Sequence, residues 1–482
     1  MTLPAPLVKR RDPSCRNGQL NVPNCKDALV KEYDVIVIGA GEGVGIAFKA
    51  LATGQRVALV DKGHVGGTCM NVGCVPSKML IHPADRIRDI EGASKLGISA
   101  RISRIDFASL MMRVRDTRKK NRRGLLEEIR SSENLDFYHE SARFIGDYTL
   151  QTKTETIRGR KIFIVSGSRP AIPPIAGLDG IDYLTNENIP DITKRPKSLI
   201  VIGGGYIGVE YGHFFSAMGA KVTIVQSRDR LLPNEEPEIS GLLGTVMARR
   251  MAVITNAEAL EVTKKGKECT VSVRNTISGR SKRLKAETIL VAAGRRSNAD
   301  LLSVEKTGVE LDGTGYIRVD DTLQTSRENI WAFGDAIGKA MFTHAGDLEQ
   351  RIVWQNATGP EKIKMDFSAV PHAVYTHPQI ASVGLTEERA RKSHEILVGR
   401  ANYSDVVQGD AMMETDGFAK AIVEKGTERI LGFHVIGPMA SVLIQEVVNA
   451  VAAGGDVKSI TEKIHIFPAM SELIPETLRS VK

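Results

Sequence analysis

The stretch YDVIVIGAGEGVGIAFKALATGQRVALVDK, residues 33–62, decides the fold. Its apolar run from Val35 to Ile38 reads as a strand buried on both faces of a parallel sheet. Glycines follow at positions 39, 41, 43 and 45, then a small-residue helix, then a second apolar run, Val57 to Val60, ending on Asp61. This is the pattern of a dinucleotide-binding unit. Gly39, Gly41 and Gly43 let the backbone approach a pyrophosphate, and the helix N-terminus offers unpaired N–H groups and the positive end of its dipole. A carboxylate 22 residues after Gly39 can accept hydrogen bonds from a ribose. Position 44 is Val where the usual spacing has a third glycine, so the turn reads as one residue short, with Gly43 or Gly45 in the third role.

The pattern recurs in SLIVIGGGYIGVEYGHFFSAMGAKVTIVQSRDR, residues 198–230, where Gly203, Gly205 and Gly208 hold the full spacing. The second strand of this unit ends on Gln226 instead of an acid, and Arg228 and Arg230 follow. A carboxylate repels a 2′-phosphate, whereas an amide beside arginines tolerates or attracts one. The site therefore reads as taking NADPH or either nicotinamide; the plainer alternative has Gln226 bonding the ribose hydroxyls of NADH. Two such units imply two cofactors, one of them a flavin. A third stretch, TSRENIWAFGDAIG (residues 325–338), supports that, since its β-like run Ile330 to Phe333 ends in Gly334-Asp335. A carboxylate at a strand end can hold a ribityl or ribose hydroxyl.

Between the units lies GGTCMNVGCVPSKML, residues 66–80, with Cys69 and Cys74 five apart. A structural zinc site needs four ligands, and no second pair lies nearby. Structural disulfides are rare in reducing compartments, and five cysteines in so long a chain do not make a secreted scaffold. Catalytic thiol exchange remains. PSKMLIH opens a helix, and a thiol at a helix N-terminus is more readily the reactive thiolate.

Composition sets the outer limits. A chain of 482 residues has room for three or four domains, and 42% hydrophobic with 25% charged residues is ordinary for a soluble protein. The net charge of +8 suits nucleic acid, an acidic surface or phosphate-rich cofactors. Its main run, RDTRKKNRRG (residues 115–124), lies among apolar positions at helical spacing and reads as a solvated helix face, so nucleic acid is not expected. No apolar run is long enough to cross a membrane. The first 32 residues, with Cys15 and Cys25, lack a signal peptide's apolar region and read as a loose polar extension on a cytoplasmic protein.

GGTCMNVGCVPSK resembles the active-site motif of the class I pyridine nucleotide–disulfide oxidoreductases, which include dihydrolipoamide dehydrogenase, glutathione reductase and mercuric reductase. The resemblance runs from about residue 33 to the C-terminus through SGSRPAIPPIAG, GGGYIGVE, LVAAGRRSN, IWAFGDA and YTHPQIASVGLTEE. ETDGFAKAIVEKGTERILGFHVIGP resembles the dimer-interface domain of dihydrolipoamide dehydrogenases. The resemblance implies that Cys74 lies beside the flavin in a charge-transfer complex and that Cys69 meets substrate. It implies that Lys78 sits near the flavin ring, paired with Glu210, and that Tyr206 covers the nicotinamide pocket. It assigns Asp335 to the flavin's sugar chain. Cofactor contacts are further expected from Lys62, Gly67 and Thr68, from Ser166, Gly167 and Ser168, and from Gly294, Arg295 and Gly334.

Family members that process thiols carry His-Pro and then Glu near the C-terminus, the His being the general acid–base in the partner's site. This chain has KIHIFPAMSELIPE, residues 463–476, with Phe467 at that position and Glu472 retained. Phe cannot carry a proton. His465, two residues earlier, is a candidate substitute, because alternate residues of an extended segment face the same side. Mercuric reductases also lack the His but use a C-terminal cysteine pair, and no cysteine follows Cys269 here.

The expected architecture is α/β: two Rossmann-like FAD- and NAD(P)-binding domains plus a C-terminal α+β dimerisation domain, as a homodimer. The expected boundaries are 1–32 extension, 33–165 FAD-binding, 166–290 NAD(P)-binding, 291–360 central and 361–482 dimerisation. The leading function is a dihydrolipoyl dehydrogenase-like oxidoreductase using FAD and NAD or NADP, with a small-molecule or lipoyl dithiol acceptor and no metal. The alternatives are an NAD(P)H-dependent reductase of mercuric ion, a quinone or another non-lipoyl acceptor, a transhydrogenase-like flavoprotein, and a non-catalytic subunit binding lipoylated partners.

Overall fold

The structure, a computed structural model, describes residues 30–482, so Cys15 and Cys25 lie outside the described residues. Backbone contacts divide the chain into two units. Of the described residues, the first comprises residues 30–67, Gly124–Ser168 and Ser297–Met365; the second comprises Thr68–Arg123, Arg169–Arg296 and Asp366–Lys482. The cysteine pair thus falls in the second unit together with the rest of Thr68–Arg123, while the other parts of the 33–165 segment fall in the first.

The first unit is built on a seven-stranded sheet in the order Leu135–Tyr138, Val57–Val60, Val30–Ile38, Thr156–Ile164, Thr149–Gln151, Arg143–Gly146, with Ile330–Ala332 also paired to Thr156–Ile164. Its centre is parallel, and Val37 lies between Leu59 and Phe163. The runs Val35–Ile38 and Val57–Val60 are continuous and apolar because both faces are covered, and Val35, Val37, Leu59 and Phe163 are fully buried. Phe163 stacks on Trp331 with ring centroids 5.4 Å apart. The first strand begins at Val30, inside the stretch read as a loose extension. Residues 30–33 pair only with Thr156–Gly159 on one side, so they lack the apolar signature that marks Val35 onward.

The glycine turn explains its own irregular spacing. A Cβ on Gly39 (φ +118°) would lie 2.1 Å from the Val165 carbonyl oxygen. A Cβ on Gly43 would lie 2.7 Å from the Val37 side chain, the strand position matched by Val201 in the second unit, where Gly208 does the close packing. Gly43 therefore seats the helix Gly43–Ala52 against the strand in a turn one residue shorter, while Gly45 faces Gln350.

In the second unit a four-stranded parallel sheet runs Ala252–Ile254, Lys221–Val225, Ser198–Ile202, Thr288–Val291. An antiparallel sheet of Ala257–Lys265, Glu268–Asn275 and Ser281–Ala286 accompanies it. The helix Tyr206–Ala217 follows the second glycine turn, and the helix Cys74–Gly92 lies along it. Polar pairs link the two helices: Lys78 with Glu210 at 3.0 Å, Asp85 with His213 at 2.8 Å and Arg88 with Ser216 at 2.8 Å. The C-terminal part is a five-stranded antiparallel sheet, His372–Val374, Gln379–Gly384, Ile430–Gly437, Phe418–Glu424, Ile396–Asn402. Its apolar face packs against the helices Ala440–Ala452 and Leu473–Arg479 through Phe433, Val435, Val447 and Leu473.

The basic run is not simply a solvated face. It belongs to the helix Phe107–Ser131, where Arg118 is 5% exposed and donates to Asp191 at 2.6 Å, while Arg122 donates to Asn71. Arg118 and Arg122, four apart, face inward, and Lys119, Lys120 and Arg123 face water. Among the described residues, no helix is long and apolar enough to cross a membrane.

Candidate active site

The first unit gathers its glycine turn, Asp61, Gly67, Ser166–Ser168 and Asp335 into one chain of contacts. Asp61 accepts from the Ala40 N–H at 2.6 Å and the Gly63 N–H at 2.7 Å, which pins the end of the second strand beside the turn. The Gly66 N–H donates to the Ala40 carbonyl at 2.6 Å, and a Cβ on Gly41 would lie 3.3 Å from the Gly67 Cα. Ser168 donates to Asp335 at 2.5 Å, and the Asn298 amide donates to the Ser166 carbonyl at 2.8 Å. Lys62 is exposed.

This arrangement fits FAD. The turn has room only for backbone, its helix start presents N–H groups, and the buried Ser166 hydroxyl has no partner among the described residues. One residue here carried no sequence signal. Glu349 is fully buried, takes the Gly334 N–H at 2.6 Å on one oxygen, and has no partner for the other among the described residues. Burial, reinforced by the Asp335 charge and opposed by the Gly334 N–H, pushes its carboxyl up to about 7.

In the second unit the turn Gly203–Gly205 leads into Tyr206, the first residue of its helix. The segment carrying Gly294 and Arg295 runs alongside, and a Cβ on Gly203 would lie 2.2 Å from the Ala292 carbonyl oxygen. The loop after Val225 folds back over the turn, with the Leu232 N–H donating to the Gly204 carbonyl at 2.9 Å. Gln226 is buried, its amide donating to the Arg230 carbonyl at 3.2 Å and accepting from the Ser227 N–H at 3.0 Å. Arg228 is exposed, and the buried Arg230 Nε has no acceptor among the described residues. A guanidinium with an unmatched Nε on the loop that begins with Gln226 fits the ribose end of a nicotinamide dinucleotide, a 2′-phosphate included.

The cysteines occupy successive helix starts. Cys69, half-buried, lies in Gly67–Val72, and Cys74, exposed, is the first residue of Cys74–Gly92. A Cβ on Gly73 would lie 3.0 Å from the Thr68 carbonyl oxygen, so the link between the helices is tight. Two polar clamps hold it: Arg122 donates to the Asn71 side chain, and the Asn186 amide donates to the Val72 carbonyl at 3.1 Å. Lys78 lies 3.1 and 3.0 Å from the two Glu210 oxygens and 4.2 Å from the centroid of the Tyr375 ring, and the Tyr375 backbone N–H donates to Glu210 at 2.9 Å. Arg118, Asn71, Asn186 and Tyr375 were not singled out by the sequence, since their partners lie far along the chain.

At the C-terminus Phe467 is 71% exposed. His465 has its Nε2 2.8 Å from Glu446 and its Nδ1 3.1 Å from the Lys463 carbonyl oxygen. Both ring nitrogens thus face acceptors. Glu472 takes the Ala469 N–H at 3.1 Å. His465, Phe467 and Glu472 share the wall of a cavity of about 340 Å³ with Lys463 and Asp405. Among the described residues the tightest group of possible metal ligands is Glu236, Glu238 and Glu387, and the Lys420 ammonium lies 2.6–2.7 Å from all three.

Comparison with known proteins agrees with this geometry. Residues 33–358 match the model of the pyridine nucleotide-disulphide oxidoreductases, and residues 370–478 match the dimerisation domain of the same family. The chain is 33% identical to mycothione reductase of Mycobacterium tuberculosis over 466 residues, 94% of this chain and 100% of the relative. It is 32% identical to mercuric reductase of Lysinibacillus sphaericus, covering 92% and 82%, and 30% identical to dihydrolipoyl dehydrogenase of Bacillus subtilis, covering 93% and 98%. The HOCl-induced flavoprotein disulfide reductase RclA from Escherichia coli is a structural neighbour, with a TM-score of 0.83, 29% identity, and 93% and 100% of the two chains covered. With the first turn shaped for FAD, the second for NAD(P)H and a cysteine pair at the helix starts, the chain belongs to the pyridine nucleotide-disulphide oxidoreductases as an FAD-dependent NAD(P)H:disulfide oxidoreductase.

Proposed function

We propose that this oxidoreductase is an NAD(P)H-driven reductase whose acceptor is not a lipoyl dithiol but one that takes electrons from Cys69 and Cys74 without a proton from position 467. When bound, FAD and NAD(P)H supply the hydride and electron-transfer chemistry that delivers two electrons to the cysteine pair. The observation carrying the reading is the C-terminal segment: Phe467 has no titratable group, and both nitrogens of His465 are engaged by acceptors. General acid–base help contributes about 10²- to 10⁴-fold where a thiol must gain or lose a proton.

A soft metal cation fits such a site, because two thiolates bind it and return to the disulfide as it gains two electrons, with no proton moved. The likeness to mercuric reductase supports that class, with the acceptor reaching Cys69 directly, since no C-terminal cysteine pair follows Cys269. In this reading Cys69 meets the acceptor, Cys74 exchanges electrons with the flavin, and Lys78 with Glu210 sets the charge beside it. Asp335 and Asp61 hold the FAD sugars. The dimerisation domain pairs two chains, and residues 463–476 complete the site of the second copy.

Steady-state assays with NADH and NADPH against lipoamide, Hg(II) and a quinone test this. Turnover with Hg(II) or the quinone well above that with lipoamide is expected. Rapid lipoamide turnover in both directions would overturn it.

A further inference from the structure

One buried acid of the first unit has no role among the flavin-site contacts named so far. Glu349, on the helix Thr343–Thr358, is fully buried. One of its oxygens takes the Gly334 N–H at 2.6 Å, and the other has no partner among the described residues. The backbone it holds leads straight to Asp335. The strand Ile330–Ala332 pairs with Thr156–Ile164, and the Phe333 N–H still reaches the Ile164 carbonyl at 3.4 Å. Gly334 then leaves the ladder with a φ of +67°. Its N–H goes to Glu349, so this side chain takes over where the sheet stops. Asp335 follows in the short turn Gly334–Ala336, and Ser168 donates to it at 2.5 Å.

Charge around Glu349 is one-sided. The charged group that acts on it is Asp335, another acid. On the helix Gly43–Ala52, which packs against Thr343–Thr358, Lys49 donates to Gln350 at 3.2 Å, and Glu42 at the helix start lies against Gly346. On its own helix His344, Asp347 and Arg351 are exposed, and the last two act on Lys49. The strand Ile330–Ala332 carries no charged residue. A carboxylate buried with one N–H and a second acid beside it is disfavoured, whereas the protonated acid keeps the same bond through its carbonyl oxygen.

We propose that Glu349 is a positioning residue of the flavin site: it is neutral while FAD is held, and its ionisation, with the proton lost to solvent, loosens the Gly334–Asp335 corner and releases FAD. This rests on the reading that Asp335 holds the FAD sugars. The sign follows from linkage. Affinity is full at pH values where the acid is protonated and falls as pH rises through its titration.

Diluted holoenzyme, with the free FAD separated by ultrafiltration, tests this. The parent should release FAD roughly tenfold more readily at about pH 9 than at about pH 6, with its far-UV circular dichroism unchanged. Glu349→Gln keeps an acceptor for the Gly334 N–H and cannot ionise, so it should hold FAD equally at both. Glu349→Ala should release FAD at both. A flat profile in the parent, an equal pH response in Glu349→Gln, or firm retention by Glu349→Ala would overturn the proposal. So would loss of FAD only together with the circular dichroism, which would make Glu349 a residue of stability alone. Should the variants fail to fold, the proton balance of the parent decides. FAD release at about pH 8 must free a proton, seen with an indicator dye, and release without one overturns the coupling. An Asp335→Asn variant that holds FAD as tightly as the parent would take down the placement of FAD at Asp335, and the coupling with it. With that placement intact, a flat profile removes the coupling alone.

Discussion

Lys78 and Glu210 form a two-point ion pair across two helices, with Nζ 3.1 and 3.0 Å from the carboxylate oxygens. Glu210 is 10% exposed at its side chain and Lys78 is 38% exposed, so the acid is the anchored partner and the ammonium the presented one. The Tyr375 N–H fixes the acid from the third side. Glu210→Gln keeps the shape and removes the charge. Loss of a charge-assisted bond of about 1.5–3 kcal/mol predicts roughly ten- to a hundredfold slower flavin reduction by NAD(P)H in stopped-flow traces. A rate within a factor of about two of the parent would show that the pair only packs the helices.

The cysteines should behave unequally. Cys74 is exposed at the first position of a long helix, while Cys69 is half-buried in a short one. Cys74→Ser is expected to abolish the long-wavelength thiolate–flavin absorbance on partial reduction, and Cys69→Ser to retain or strengthen it. Identical spectra in the two variants would refute the assignment of roles.

Glu349 makes stability depend on pH. Its native carboxyl holds a proton to about 7, whereas the unfolded value is 4.5. A raised acid contributes stability that is complete below the unfolded value and lost as pH rises through the folded one. Glu349→Gln removes this titration, so the parent should lose on the order of 3 kcal/mol relative to the variant between about pH 4.5 and pH 7.5. Denaturant unfolding at several pH values measures it, and a constant difference between parent and variant would rule it out.

The ribose end is tested by opposite changes. Gln226→Glu adds a carboxylate where the Gln226 side chain meets the Arg230 backbone carbonyl, and should shift kcat/KM toward NADH. Arg230→Met removes the unmatched Nε and should raise the KM for NADPH roughly tenfold while leaving NADH nearly unchanged. If the ratio of the two nicotinamides stays constant in both variants, this loop does not read the ribose.

What the sequence made legible was local. Gly39, Gly203 and Gly208 announce themselves because a side chain at each would strike a backbone oxygen a few residues or one strand away, and the apolar runs beside them fill a parallel sheet. The shortened turn was readable from its spacing, with Gly43 or Gly45 in the third role, and the fold shows Gly43 packed on the Val37 side chain. Pairings across long stretches of chain were not. Tyr206 meets Glu235 29 residues on and His372 lies 137 residues beyond that, with no periodic pattern to join them. The basic run misled because composition gives the charge of a helix and not its orientation. Only the fold shows Arg118 and Arg122 turned toward Asp191 and Asn71. The alternation of an extended segment made His465 a candidate, and that rule could not show its contact with Glu446 on the helix Ala440–Ala452.

Phe467 gives the most direct test of what the site can and cannot do. It is 71% exposed and shares a cavity wall with Glu472, whose carboxylate has one oxygen on the Ala469 N–H. The family likeness predicts that Glu472 would orient an imidazole at position 467 in the way a carboxylate orients a catalytic His. Phe467→His should therefore raise dihydrolipoamide oxidation by about 10²-fold, the lower end of general acid–base help, and leave flavin reduction by NAD(P)H unchanged. The gain should follow a bell-shaped pH profile absent from the parent, because only the variant has a titrating group there. His465→Ala should change neither half-reaction, since its ring is spent on Glu446 and the Lys463 carbonyl. Parent turnover of lipoamide at hundreds per second that disappears in His465→Ala would make His465 the base after all. A Phe467→His variant that gains nothing while Hg(II) turnover persists would show that the acceptor site excludes dithiols by shape, and not only by the missing proton carrier.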